Sequence, residues 1–139
     1  MTNARTSGSG AVTYTFTFND TNGASDLGVI NVLVNDALNG NNACYLAYVR
    51  SANQLYLVND PGTLLGPVTL SDSGTLGISQ CTVNVASSSP TINGNSLTLT
   101  LNMSFPSSFV GNRIIYAAAR SNGELLNSGW QAIGSRTMQ

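Results

Sequence analysis

Ser96-Leu97-Thr98-Leu99-Thr100-Leu101-Asn102-Met103-Ser104-Phe105 is the stretch on which the fold turns. Leu97, Leu99, Leu101, Met103 and Phe105 occupy every second position, with only Ser, Thr or Asn between them. Side chains on a β-strand point alternately to opposite faces, so this spacing gathers all the apolar groups on one side. A helix would scatter the same residues around its circumference. The segment therefore reads as a strand with one buried and one hydrated face.

The same alternation recurs on both sides of it. Tyr14, Phe16 and Phe18 interleave with Thr13, Thr15 and Thr17, and Ile30, Val32 and Val34 share one face of Leu27 to Asn35. Cys44 to Arg50 and Gln54 to Val58 follow, joined through Ser51-Ala52-Asn53. Pro67 to Leu70, Leu76 to Val85, Arg113 to Arg120 and Trp130 to Met138 complete the set. No helical periodicity of comparable length competes. Asn22-Gly23, Asn39-Gly40, Asn93-Gly94 and Asn122-Gly123 fall between strands, where a tight corner needs positive φ. Ser87-Ser88-Ser89-Pro90 reads as a break before the strongest strand. Some seven to nine antiparallel strands spaced by roughly ten residues describe an all-β sandwich. Thr6-Ser7-Gly8-Ser9-Gly10 has a linker's composition, so residues 1–10 are expected as a flexible lead and 11–139 as a single domain.

Composition excludes more than it selects. Only 8% of residues are charged, about a third of the usual share, while 42% are apolar. All five cations are arginines, scattered at Arg5, Arg50, Arg113, Arg120 and Arg136, so no basic cluster exists to grip phosphates and nucleic acid is not expected as a partner. No apolar run approaches a membrane span, and Met1 to Gly10 lacks the apolar centre of a signal peptide; an export signal is expected outside this sequence. Histidine and lysine are both absent. That removes Ser-His-Asp triads, His-assisted thiols, Ser-Lys dyads, Schiff bases and Lys-Asn isopeptide crosslinks. A glycosidase would need two facing carboxylates, for which Asp60 and Asp72 are the conceivable pair, with Glu124 isolated at an expected turn tip. No enzymatic activity is expected. Cys44 and Cys81 match no zinc pattern, and in a charge-poor β-chain they suggest one disulfide formed in an oxidising compartment; the alternative is two buried thiols.

Ile115-Tyr116-Ala117-Ala118-Ala119-Arg120-Ser121-Asn122-Gly123, followed by Asn127-Ser128-Gly129-Trp130, resembles the last hairpin of bacterial immunoglobulin-like modules, in which Ser-x-Trp opens the final strand. Thr15 to Leu27 resembles their first hairpin. The resemblance covers about residues 11 to 138 and extends to repeat units of very large secreted or cell-surface proteins of soil bacteria. It implies an immunoglobulin-like sandwich acting as a spacer, adhesive stalk or non-catalytic accessory, sometimes with calcium at interdomain loops or a bound glycan. One departure stands out: Cys44 and Cys81 do not occupy the antibody-type bridge positions around a buried tryptophan.

Two constellations carry candidate chemistry. Asp20, Asn22 and Asp26 offer oxygen ligands at offsets 1, 3 and 7, a pattern able to wrap calcium, with Asp36 or Asp60 as potential additions. No bidentate acid ends the loop, and an Asx-turn explains the same residues. Tyr45, Tyr56 and Trp130 form a candidate sugar-stacking surface, within an aromatic set that includes Tyr48 and Tyr116; ordinary packing on a pleated sheet is the competing account. The sequence thus predicts a non-catalytic structural or interaction module of an exported bacterial protein: a spacer, adhesin repeat or filament subunit. No cofactor is required, though calcium is a candidate. Neighbouring copies or domains are the expected partners, with a glycan as the alternative.

Overall fold

A computed structural model describes residues 1, 5–8, 10–122 and 127–138. The chain forms eleven strands among them: β1 (Arg5–Gly8), β2 (Val12–Asn19), β3 (Leu27–Asn35), β4 (Cys44–Val49), β5 (Gln54–Val58), β6 (Leu64–Thr69), β7 (Thr75–Gly77), β8 (Thr82–Asn93), β9 (Ser96–Ser104), β10 (Gly111–Ser121) and β11 (Gln131–Met138). They make a seven-stranded sheet, ordered β1-β11-β10-β3-β4-β5-β6, and a four-stranded sheet, ordered β2-β9-β8-β7. The fold is an all-β sandwich. The expected corner at Asn122-Gly123 and the tip at Glu124 lie partly or wholly outside the described residues.

The core is the place where the two alternating faces meet. Leu97, Leu99, Leu101 and Met103 of β9 are fully buried, flanked in register by Tyr14 and Phe16 of β2. Against them pack Ile30, Val32 and Val34 of β3, Leu46 and Tyr48 of β4, Leu55 and Leu57 of β5, and Ile115 of β10. Each such side chain contributes about 1.5–3 kcal/mol relative to exposure. Tyr48 buries a polar tip as well, and its hydroxyl donates to Asn53 Oδ1 at 2.8 Å. Asn53 itself turns the β4–β5 hairpin with a left-handed φ of 51°, a conformation asparagine tolerates.

Three local expectations need correction. Arg5–Gly8, inside the stretch expected as linker, is a strand: it pairs in parallel with Ser135–Met138 of β11, and Arg136 Nη1 donates to Thr6 Oγ1 at 3.0 Å. The open edge of β11 supplies the backbone partners that composition alone does not reveal. Leu76 to Val85 is a hairpin, not one strand, because Ile78 N bonds Cys81 O and β7 turns back along β8. Ser87 to Pro90 does not break the chain. β8 passes through it with a bulge between Asn84 and Ser89, where Ser88 Oγ donates to Asn84 O at 2.7 Å and accepts from Asn102 N at 3.0 Å. A buried serine hydroxyl thus replaces ladder bonds that the extra residues forfeit.

Cys44 and Cys81 are disulfide-bonded and both fully buried, with Cα atoms 5.6 Å apart. The bridge ties the start of β4 in one sheet to the start of β8 in the other. Its presence fits folding in an oxidising environment.

Two outcomes follow. Closing 37 residues should contribute about 3–4 kcal/mol in the chain-entropy picture, so Cys44→Ala/Cys81→Ala should lower the unfolding free energy from urea melts by that amount without altering the far-ultraviolet circular dichroism. Burial pushes the Tyr48 phenol above 10.0, a rise partly offset by the Arg50 charge. The unfolded chain therefore ionises this group first, and the associated stability, fully present below about pH 10, is lost as pH rises through the folded pKa. Tyr48→Phe should cost about 1 kcal/mol at neutral pH through the lost hydrogen bond, yet show a shallower alkaline decline in urea melts than the parent.

Candidate functional site

The two sheets present opposite chemistry to solvent. On the four-stranded sheet the outward positions are Thr13, Thr15 and Thr17 of β2 beside Asn102, Thr100 and Thr98 of β9, linked by side-chain contacts such as Thr17 Oγ1 to Thr98 Oγ1 at 3.3 Å. The seven-stranded sheet carries apolar groups on its outer side as well, with Asn31, Arg120 and Gln54 among them. Crossing its outer face, Tyr116, Leu33, Tyr45 and Val58 lie in register on β10, β3, β4 and β5. The next row is Ala118, Asn31, Ala47 and Tyr56, and the one after is Arg120, Val29, Val49 and Gln54. An antiparallel sheet with one solvated face ordinarily alternates apolar and polar residues. Here β4 breaks that rule at Tyr45, Ala47 and Val49, each half-buried.

The chain leading into β11 adds the second aromatic. Ser128 accepts the Ala119 amide on its Oγ at 2.8 Å and gives its own amide to Ala119 O at 2.9 Å, so residues 127–130 are fastened to β10. Gly129, at φ 66°, bends the chain, and its amide bonds Asn127 Oδ1 at 2.7 Å. Trp130 then reaches across the small row to Tyr45, ring centroids 6.0 Å apart and planes at 73°. The two rings border a hollow of about 300 Å³ that also takes in Asn31, Ala118 and Asn127. Of the three expected aromatics the structure brings Tyr45 and Trp130 together. Tyr56 shares their face one strand over, outside the hollow. The rings meet edge to face, so no coplanar platform exists for a sugar to lie across both. Asn31, Ala118 and Asn127 escaped sequence reasoning because their roles depend on cross-strand register.

The candidate calcium loop is occupied with its own turn. Asp20 is nearly buried, its Oδ1 accepts the Asn22 amide at 2.8 Å, and its carbonyl accepts from Gly23. Asp26 ends a 3-10 turn at the start of β3, whereas Asp36 follows the far end of that strand, about 33 Å away at strand rise. No cluster of three acidic or thiol groups able to hold a metal occurs among the described residues. Asp60 and Asp72 flank opposite ends of β6 and do not face one another.

These features define a two-sheet, disulfide-linked β-sandwich with one hydroxyl-rich and one aromatic outer face. No protein family, curated protein or solved structure matches the chain.

The packing of Trp130 is directly measurable, since it is the chain's single tryptophan. Tyr45→Ala should red-shift and broaden its emission as the indole loses its edge-on neighbour, while the melting temperature changes little, because Tyr45 is only half-buried.

Proposed function

We propose that the chain is a non-catalytic interaction module of an exported protein, docking against a neighbouring copy or domain through the outer face of its seven-stranded sheet. The observation that carries this reading is the chemical difference between the two outer faces: Thr and Asn on one, Tyr, Val and Ala on the other. Leu33 and Ala118 are already buried there, whereas Tyr45, Ala47, Val49, Tyr56, Val58 and Tyr116 stay half-buried and gain by being covered. The scarcity of charge fits the same role, because the surface neither steers nor repels charged partners. The disulfide fits export, and the lack of histidine and lysine in the sequence leaves few groups for covalent or acid–base chemistry.

A glycan on the Tyr45–Trp130 hollow is the second reading, favoured by the Asn31 and Asn127 amides beside the rings. The perpendicular ring geometry argues for the first. Sedimentation velocity across a concentration series separates them. Docking between copies gives a concentration-dependent rise in mass that Tyr45→Ala/Trp130→Ala abolishes. A strict monomer at high concentration sinks the self-docking form, and a glycan-array signal lost in the same double variant would transfer the face to the second reading.

A further inference from the structure

At the end of the sandwich where β3 runs into β4, the structure holds a polar hollow of about 500 Å³ that the aromatic face does not share. Its walls come from both sheets. Asn35 ends β3, Asp36 and Asn41 belong to the β3–β4 connection, Gln80 precedes β8, Phe109 precedes β10, and Arg113 lies on β10.

The walls are organised before any ligand arrives. Asn35 is 5% exposed; its Nδ2 donates to the carbonyls of Asn39 and Asn41 at 2.9 and 3.2 Å, and its Oδ1 accepts from the Asp36 amide and from Arg113 Nη1. Arg113 is fixed a second time by Val110 O at 2.8 Å and lies 4.1 Å over the Phe109 ring. That ring stacks in turn on Phe105. The disulfide joins the residue after Gln80 to the first residue of β4, so the two walls are covalently tied beside the hollow.

Within this rigid frame two groups lack partners. Gln80 is 8% exposed and buries its Oε1 with no hydrogen bond, and Arg113 buries its Nε likewise. Leaving a buried polar atom unpaired costs about 1–3 kcal/mol, so both atoms gain from a partner. A half-turn of the Gln80 amide exchanges acceptor for donor, so it can answer either kind of ligand atom. The Asp36 carboxylate disfavours an anion and the Arg113 guanidinium disfavours a cation. A hydroxyl donates and accepts at once and meets both demands.

We propose that this hollow binds a neutral polyhydroxyl ligand of monosaccharide size, with Asp36 and Gln80 accepting from its hydroxyls and Arg113 and the asparagine amides donating to them. Pockets of this volume suit such a ligand. The site is independent of the aromatic face and stands whether or not that face docks another domain.

The test is amide-resolved NMR on the intact chain titrated with glucose, galactose and mannose to tens of millimolar, with sulfate as the anion control. The expected result is saturable shifts for at least one sugar at Asn41, Gln80 and Arg113. Binding should weaken at least tenfold in Gln80→Ala and in Asp36→Asn. Asp36 is exposed, so its variant keeps the test informative if Gln80→Ala fails to fold. No saturable shift from any of the three sugars overturns the proposal and leaves the hollow to water only. Shifts from sulfate alone overturn it in favour of an anion, and sugar shifts centred on Tyr45 and Trp130 return the sugar to the aromatic face.

Discussion

Register between facing sheets is the constraint on which this molecule depends. Leu97, Leu99, Leu101 and Met103 reach the interior only because β9 sits in one phase relative to β2 and β8. A slip of one residue would exchange them for Thr98, Thr100 and Asn102, whose hydroxyls and amide would then enter an apolar interior unpaired. At about 1–3 kcal/mol for each unsatisfied group, on top of the lost burial, such a slip exceeds the net stability of a small domain. The threonine rows outside β2 and β9 are as much a part of the specification as the leucines inside.

The larger sheet does not enjoy that protection. With Tyr45, Ala47 and Val49 outside β4 and Leu46 and Tyr48 inside, a one-residue slip would exchange apolar for apolar. Other devices fix its register. The Tyr48 hydroxyl closes on Asn53 at the hairpin turn, and the Arg50 Nε donates to Leu27 O at 2.7 Å across β3. The disulfide pins the first residue of β4. The aromatic outer face is thus tolerated because polar clamps at the strand ends, not alternation, hold the sheet in phase. That cost in sequence specificity is the physical reason for assigning the face a role.

How much of this was written in the chain follows from which forces are local. β2, β3 and β9 could be read from alternation, since a half-buried strand imprints period two on its own residues, and β4 and β5 as short apolar runs on either side of Ser51-Ala52-Asn53. The Cys44–Cys81 bridge could be read because two lone cysteines in such a chain have few other uses. β1 could not, because Arg5–Gly8 is held by the edge of a strand some 130 residues away. Ser87–Pro90 carries every mark of a loop, and only the Ser88 hydroxyl, bonded to both Asn84 and Asn102, shows how a strand passes through it. Tyr45 and Trp130 were visible as aromatics, but not as a pair, since their meeting needs the β10–β3–β4 order and the Ser128–Ala119 fastening. The polar hollow was invisible for the same reason. Its six principal residues are drawn from four separate segments, and none belongs to a recognisable motif.

The disulfide connects these threads. A bridge placed mid-sandwich would brace the core, where leucines already interdigitate; this one lies at the end, between the β3–β4 connection and the turn into β8. There the apolar core gives way to Asn35, Gln80 and Arg113, side chains that hold water well and one another only through directed bonds. Hydrogen bonds alone would let the two sheets breathe apart at that end, because each contributes only about 1 kcal/mol net. A covalent tie beside the hollow keeps its walls at fixed spacing, which is the condition for unpaired polar atoms to recognise a ligand and not merely collect solvent. An oxidising environment, which the disulfide fits, makes that tie available, so bridge and hollow belong to one physical arrangement.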